Sequence, residues 1–263
     1  MTILTWNIQH GGGKRIDAIA DYITQHPHAP TTVVLAEFRN NAYGHKMQNR
    51  LYTSGFEHQC TAEAAPNTNS VLIASKHTFT HKTFDELDHN KHRIIEATFD
   101  AFKLLGCYFP NQEKKYPVFD FVVEYLKHSM HTELPTTSPS SLPIAPTVPP
   151  TSAPTSAPTI LTGDFNTGKH YLDEEKATLK CAEYFDMFEK SGVFDVWRTR
   201  NPERREYTWF PPRGKTGFRL DHFFATGKIV NNVSECFYDH DVRLNKLSDH
   251  SAMLLQFNLT NDL

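Results

Sequence analysis

Short apolar runs recur along this chain and stop at polar groups, and between them lie stretches where apolar residues return every three or four positions. The first run, 2–8, reads as a strand ending at Asn7, followed by a flexible turn at Gly11-Gly12-Gly13. Ile16, Ile19, Ala20 and Ile23 then recur at helical spacing within 15–25. Further along, the pattern predicts strands at 33–36, 56–61, 70–75, 93–99, 104–109, 159–163, 219–225 and 251–257. It predicts helices at 46–52, at 118–130 with Phe119, Val122, Val123 and Leu126 on one face, and at 173–191, where Gly192 ends the pattern. Apolar strands alternating with amphipathic helices in both halves predict an α/β fold, a four-layer sandwich of two packed mixed sheets flanked by helices.

One stretch breaks the rhythm. Residues 134–158 are almost all Pro, Thr, Ser and Ala, with no apolar face to bury, so they read as a disordered or polyproline loop. The apolar run 159–163 beyond it belongs in the middle of the same sheet, so the insert does not separate two domains. Lengthening a loop from about five to about 27 residues adds only roughly 1.5 kcal/mol of closure entropy. The chain, 1–263, is therefore expected to be one domain with an interruption.

The polar residues that stop the apolar runs carry the candidate chemistry. Thr159-Ile160-Leu161-Thr162 ends at Gly163-Asp164-Phe165-Asn166. Taken alone, that is a strand followed by an Asx turn. Trp6-Asn7, Glu37, Arg219-Leu220-Asp221 and Ser248-Asp249-His250 repeat the placement, and together they point to one site. Glu37, directly after a buried run, needs either solvent at a strand end or a cation. Arg93 begins a strand, where it is either solvated or within reach of a phosphate. From Arg198 through Arg200, Arg204, Arg205, Arg213 and Lys215 to Arg219 lies the most basic stretch, interleaved with Tyr207, Trp209 and Phe210. It suits a strand of nucleic acid or a solvated basic loop.

Leu4-Thr5-Trp6-Asn7, Val34-Leu35-Ala36-Glu37, Tyr108-Phe109-Pro110-Asn111, Gly163-Asp164-Phe165-Asn166, Arg219-Leu220-Asp221 and Ser248-Asp249-His250 resemble, in order, the motifs of the endonuclease/exonuclease/phosphatase superfamily. The resemblance spans about 3–257 and is nearest the exonuclease III and abasic-site (AP) endonuclease branch, whose fold is DNase I-like. It implies a divalent-metal-dependent phosphodiester hydrolase, a DNA nuclease associated with DNA repair. Glu37 and Asp249 would ligate Mg2+ or Mn2+, since hard oxygen donors favour these ions. Asp164 would activate water, with Asn7 and Asn166 positioning it. His250, held by Asp221, would donate to a phosphate oxygen, and the base role stays open between Asp164 and His250. Tyr108 and Asn111 would contact phosphates, with Arg93 and Arg219 as further substrate contacts, while Trp209, Phe218 and Leu220 would form an apolar pocket for a base-free sugar. One position departs from the branch: its aspartate two residues after the first asparagine is Gln9 here, a weaker, uncharged metal contact.

Composition narrows the picture further. A net charge of −3 argues against a large nonspecific nucleic-acid footprint and leaves room for a small-substrate alternative, a phosphatase or phosphodiesterase on an inositol phosphate or sphingomyelin type of substrate. A catalytically silent binding protein is disfavoured because Asn7, Glu37, Asp164, Asn166, Asp221, Asp249 and His250 are all present. Four widely spaced cysteines without a C-x-x-C pair indicate neither a zinc knuckle nor a disulfide framework. With no apolar stretch of membrane length and no leader-like start, a cytoplasmic monomer acting on DNA is expected.

Overall fold

The computed structural model describes residues 1–130 and 157–258. The Pro/Thr/Ser-rich stretch expected at 134–158 therefore lies, up to residue 156, outside the described residues. The elements in order are β1 (Thr2–Asn7), α1 (Ile16–Gln25), β2 (Thr32–Phe38), α2 (Ala42–Thr53), β3 (His58–Thr61), β4 (Ser70–Ser75), β5 (Thr80–Lys82), β6 (Ile94–Thr98) and β7 (Lys103–Tyr108). Then come α3 (Tyr116–Met130), β8 (Thr159–Asp164), α4 (Glu183–Lys190), β9 (Val193–Asp195), α5 (Val196–Arg200), β10 (Asp221–Thr226), β11 (Val233–Asp239) and β12 (Ala252–Phe257).

The strands form two six-stranded mixed sheets, β11-β12-β1-β2-β4-β3 and β5-β6-β7-β8-β10-β9. Each has one parallel pair at its centre, β1 with β2 and β7 with β8, and antiparallel neighbours elsewhere. Side-chain alternation sorts the strands into faces. Ile3, Val34, Ile73, Leu104, Ile160, Phe223 and Met253 meet in the core between the sheets. Leu4, Trp6, Val33 and Leu35 face outward against Ile16, Ile19 and Ile23 of α1 and Met47 and Leu51 of α2. Leu105, Leu161 and Phe224 face the other way, against α3 and α4. The result is the expected four-layer sandwich.

The deviations have local causes. The second helix begins earlier than expected because the Asn41 side chain caps it, accepting from the backbone N–H groups of Tyr43 and Gly44. The helix expected over 173–191 is helical only across α4. The preceding turns instead fold around two buried carboxylates: Asp173 accepts from the Lys169 N–H, and Glu174 from the N–H groups of Thr178 and Leu179. Edge strands β9 and β11 were not anticipated; a register shift between Val233 and Glu235 breaks the alternation that would have marked β11.

Gly163, immediately before Asp164, has φ +139, and a Cβ there would lie 1.9 Å from the Cys107 carbonyl oxygen on the paired strand. Gly163→Ala is therefore expected to cost at least about 2 kcal/mol in strain and displacement. Urea unfolding measures it, and a midpoint equal to that of the unsubstituted protein would show that β7 and β8 can separate cheaply.

Candidate active site

The sheet directions bring the polar chain segments together. β1, β2, β7 and β8 end at one edge of the sandwich, and because β10 runs antiparallel to β8, its first residue, Asp221, pairs with Asp164. β12 runs antiparallel to β1, so Ser248-Asp249-His250, just before it, arrives at the same edge. Asn7, Asp164 and Tyr108 keep the parity of Ile3, Ile160 and Leu104, and so face between the sheets.

Glu37 does not follow that parity. Strict alternation would put it on the outer face with Val33 and Leu35. A register shift between Ala36 and Phe38, with Glu37 at φ 59, turns its carboxylate inward while Phe38 stays in the outer core. Glu37 Oε1 there accepts from Asn7 Nδ2 at 3.3 Å and from the Tyr108 hydroxyl at 3.2 Å.

Asp164, like Asp221, is 1% exposed. Asn7 Nδ2 donates to its Oδ2 at 2.9 Å, and Asn166 donates its backbone N–H to Oδ1 at 2.9 Å and its side-chain amide to Oδ2 at 3.3 Å. Because Asp164 Oδ1 accepts the backbone N–H two residues on, the segment is an Asx turn as well as part of the cluster, so the two readings of the sequence describe the same structure. Burial drives the Asp164 pKa up and the His250 charge draws it back, leaving it raised to about 7.

His250 Nδ1 is 2.8 Å from Asp221 Oδ2, and Nε2 is 4.0 Å from Asp164 Oδ2. Burial would lower its pKa, but the Asp221 and Asp164 charges overcome that and push it up to about 10. An imidazolium therefore bridges the two acids. The Trp6 indole donates to the His250 carbonyl at 3.1 Å, and the Ser248 hydroxyl donates to the Asn7 carbonyl at 2.6 Å, so the two segments brace each other.

In front of this cluster lies a cleft of about 390 Å³. Gln9, Glu37, Asn111, Asp164, Asn166, Trp209, Phe218, Leu220, Asp249 and His250 line it. Asn7, Tyr108 and Asp221 stand behind, bonded to lining residues. Trp209 and Phe218 are bridged to each other, and the Trp209 indole donates to Asp249 Oδ2 at 3.1 Å. Arg93 stacks on the Tyr108 ring, 5.1 Å from its centroid, with its Nε buried and unpartnered.

Arg219 corrects an expectation. Grouped by sequence with the substrate contacts, it is wholly buried and faces away from the cleft. Its Nε and Nη2 grip Asp173 at 2.6 and 3.0 Å, Nη2 also reaches Asp195 at 2.6 Å, and Nη1 reaches Tyr238. Arg198, also buried, pairs with the same Asp173. Two cations of the basic stretch thus serve the scaffold, which leaves Arg200, Arg204, Arg205, Arg213 and Lys215 as its exposed members.

Sequence reasoning missed several neighbours. Lys115 is 2% exposed in the cleft wall, bonds the Asn166 carbonyl, and is pushed down to about 8 by burial. Arg15 holds the Ile8, Gln9 and Leu247 carbonyls, tying the segments that carry Gln9 and Asp249. Asn69 donates to the Tyr108 hydroxyl at 3.4 Å. None stands at a distinctive spacing; Lys115 is indistinguishable in sequence from its exposed neighbour Lys114.

The donor set fits a divalent cation. Glu37 and Asp249 present carboxylates and Gln9 a carboxamide to one cleft, all hard oxygen donors. Deeper, Asp164, Asp221 and His250 place ligand atoms within 4.8 Å of one another, and Asp221 Oδ1 is buried without a partner.

Two mixed sheets carrying an acid, amide and histidine cluster at one edge define a phosphoesterase-type architecture. The profile of the endonuclease/exonuclease/phosphatase family matches residues 4–250, and the chain belongs to that family. Among solved structures it is similar to the 3' phosphatase NExo from Neisseria bound to product DNA hairpin, at 21% identity and TM-score 0.78, over 98% of this chain and 100% of that one. The 3'-5' exonuclease NExo from Neisseria meningitidis matches at 22% identity and TM-score 0.76, with the same coverage. An AP endonuclease from Archaeoglobus fulgidus matches at 17% and 0.73, again over 98% and 100%. At these identities the likeness carries the fold. No helix of the described residues is long and apolar enough to cross a membrane.

The Arg219 cluster yields a stability prediction. Burial opposes ionisation of Asp173 and Asp195, but the Arg219 charge overcomes it and holds both below their ordinary 3.8. Their contribution is thus fully present above that value and fades as pH falls through the lowered pKa values. Arg219→Met should cost about 3–5 kcal/mol at neutral pH by leaving buried carboxylates unpaired. In denaturant unfolding the gap should narrow below pH 3.8. A stable variant with weakened substrate binding would return Arg219 to the substrate.

Proposed function

We propose that this protein is a divalent-metal-dependent phosphodiester hydrolase acting on DNA, of the exonuclease III and AP endonuclease type, built as one domain over 1–263. The observation that carries this reading is the state of Asp164: a buried carboxylate at the cleft floor, gripped by two neutral amides and faced by the His250 imidazolium. A base whose pKa lies near neutrality is suited to take a proton from water. The similar structures, a 3' phosphatase bound to a product DNA hairpin, a 3'-5' exonuclease and an AP endonuclease, support the same reading.

Glu37 and Asp249, with Gln9, would hold Mg2+ or Mn2+, which supplies neutralisation of charge on the phosphoryl oxygens. Asp164 accepts the proton of the attacking water, and Asn7 and Asn166 fix the carboxylate without adding negative charge. His250 donates to a phosphate oxygen and Asp221 holds its other ring nitrogen. Asn111, from the cleft wall, and Tyr108 and Arg93 behind it would orient the phosphates. Trp209, Phe218 and Leu220 offer an apolar wall for a sugar lacking its base.

The acidic balance and a cleft sized for a small ligand favour a second reading, a phosphatase or phosphodiesterase on an inositol phosphate or sphingomyelin type of substrate. A panel of abasic, nicked and 3'-phosphorylated DNA, inositol phosphates and sphingomyelin, each with Mg2+, Mn2+ or EDTA, separates them. Turnover of the small phosphates alone would replace the DNA reading.

Two substitutions separate the roles. Asp164→Asn should lower turnover by about 100-fold to 10,000-fold at saturating metal while substrate binding is kept or tightened. Glu37→Gln should weaken metal binding, so that activity partly returns at high Mg2+. Rescue of the first and not the second by added metal would exchange the base and the ligand. His250→Ala and Asp221→Ala together should lose little more activity than His250→Ala alone, and additive losses would show that the pair does not act as a unit.

A further inference from the structure

A second cavity, of about 480 Å³, lies beside the cleft, and Gln9 and Asp249 line both. The two spaces thus adjoin across these residues. Phe210, Arg243 and Lys246 are among the remaining walls of the second, so it is cationic where the first is acidic. Asp249 stands on the boundary, with its Oδ2 taken by the Trp209 indole at 3.1 Å.

Arg243 is fixed in place before any ligand arrives. Its Nε donates to Ser251 Oγ at 3.2 Å, and its guanidinium lies over the Phe210 ring, 4.6 Å from the centroid. These two contacts set the plane of the fork, and among the described residues neither Nη has a hydrogen-bond partner. Burial lowers its pKa, and no carboxylate opposes that shift. By contrast, Arg198 and Arg219 both meet Asp173, and Arg15 feels Asp249 and Glu37. An oriented guanidinium with no acid of its own suits an external phosphate, which accepts two parallel N–H groups.

A turn of the chain brings a second cation beside it. After the helical turn Asp241–Leu244, the Lys246 N–H donates to the Arg243 carbonyl at 3.0 Å, and Lys246 lies at φ 60. That left-handed residue reverses the chain, so Leu247 packs inward while the Lys246 side chain stays exposed. A small phosphate ester needs only the first cavity, whereas a nucleic-acid strand presents a phosphate at every nucleotide and meets the second as well.

We propose that Arg243 and Lys246 form a phosphate subsite for DNA, seating a phosphate that flanks the scissile position on one side of the cleft. The proposal rests on the DNA reading above and adds that the protein grips the strand beyond the reacting group.

The test reads binding and turnover separately. Abasic-site DNA is titrated by fluorescence anisotropy, with Mg2+ and at several salt concentrations, into protein carrying Asp164→Asn alone or combined with Arg243→Gln, Lys246→Ala or Lys228→Ala. Lys228 is exposed and follows β10 at the end opposite Asp221, so it serves as a distant loss of one charge. Arg243→Gln and Lys246→Ala should each weaken binding roughly tenfold. Each should also flatten the slope of log affinity against log salt by about 0.9, and Lys228→Ala should change neither. With Asp164 intact, KM for the DNA should rise while kcat holds, and hydrolysis of bis(p-nitrophenyl) phosphate should match that of wild type. Shortening the DNA from one side of the abasic position should erase the difference between wild type and Lys246→Ala, and shortening it from the other should keep it. Should Arg243→Gln also slow the small diester, by disturbing Ser251 beside His250, the exposed Lys246 decides. Losses no larger than that of Lys228→Ala, an unchanged salt slope, or a difference that survives shortening from both sides would overturn the subsite and leave the DNA reading standing. If wild type turns over no DNA but hydrolyses an inositol polyphosphate, and Lys246→Ala impairs that reaction, both fall and the cations belong to a small polyphosphate.

Discussion

One amide holds the two halves of this site together. Asn7 Nδ2, from the sheet that begins the chain, donates to Asp164 in the opposite sheet at 2.9 Å and to Glu37 on the neighbouring strand at 3.3 Å. The constraint behind this bond is electrostatic. Glu37, Asp164, Asp221 and Asp249 converge on one edge, and carboxylates brought together out of water repel and lose solvation. A neutral donor placed between two of them satisfies both without the desolvation cost of a further buried charge. The imidazolium of His250 does the corresponding work between Asp164 and Asp221. Cations at the mouth complete the balance, Arg15 within Coulombic reach of Asp249 and Glu37.

Backbone strain is concentrated at the same edge. Gln9, His10, Glu37 and Asn166 all take left-handed backbone conformations that side chains rarely adopt, at roughly 1–3 kcal/mol each. Each one follows or interrupts a strand whose regular continuation would aim the residue elsewhere. Without the turn at Glu37, the carboxylate would enter the apolar outer face beside Val33 and Leu35. The strain is therefore the local means by which a period-two strand places a polar side chain out of phase, and the surrounding apolar core of the sandwich is what sustains it.

This explains which parts were legible in the sequence. Strand cores such as 159–163 and the order of the polar stops could be read because burial on both faces demands continuous apolar runs, and because those runs end where the site begins. The four-layer arrangement followed from the same alternation. What could not be read depends on distant partners. The segment 173–182 carries helical spacing, yet Asp173 and Glu174 are buried and use nearby N–H groups, which unwinds it. Arg219 looks like one more cation of a basic loop until Asp173 and Asp195, 46 and 24 residues away, are seen to enclose it. Its neighbour Leu220, with no such partners, does reach the cleft wall.

That buried ionic cluster is joined to the candidate site through consecutive residues of a single strand. Asp221 and His222 point to opposite faces of β10. Asp221 holds His250 at 2.8 Å, while His222 spans from Asp195 at 3.1 Å to the Thr167 carbonyl at 2.9 Å. Thr167 follows Asn166, the residue whose amides grip Asp164. The cluster around Arg219 therefore fixes both the strand that orients the histidine and the loop that orients the acid. A buried salt bridge is weak evidence for net stability, because desolvation consumes most of the attraction. Its retention here is better explained by geometry: Arg219, bonded to two acids from separate segments, sets the distance between β10 and the Asp164 loop, and with it the spacing of His250 and Asp164 across the cleft floor.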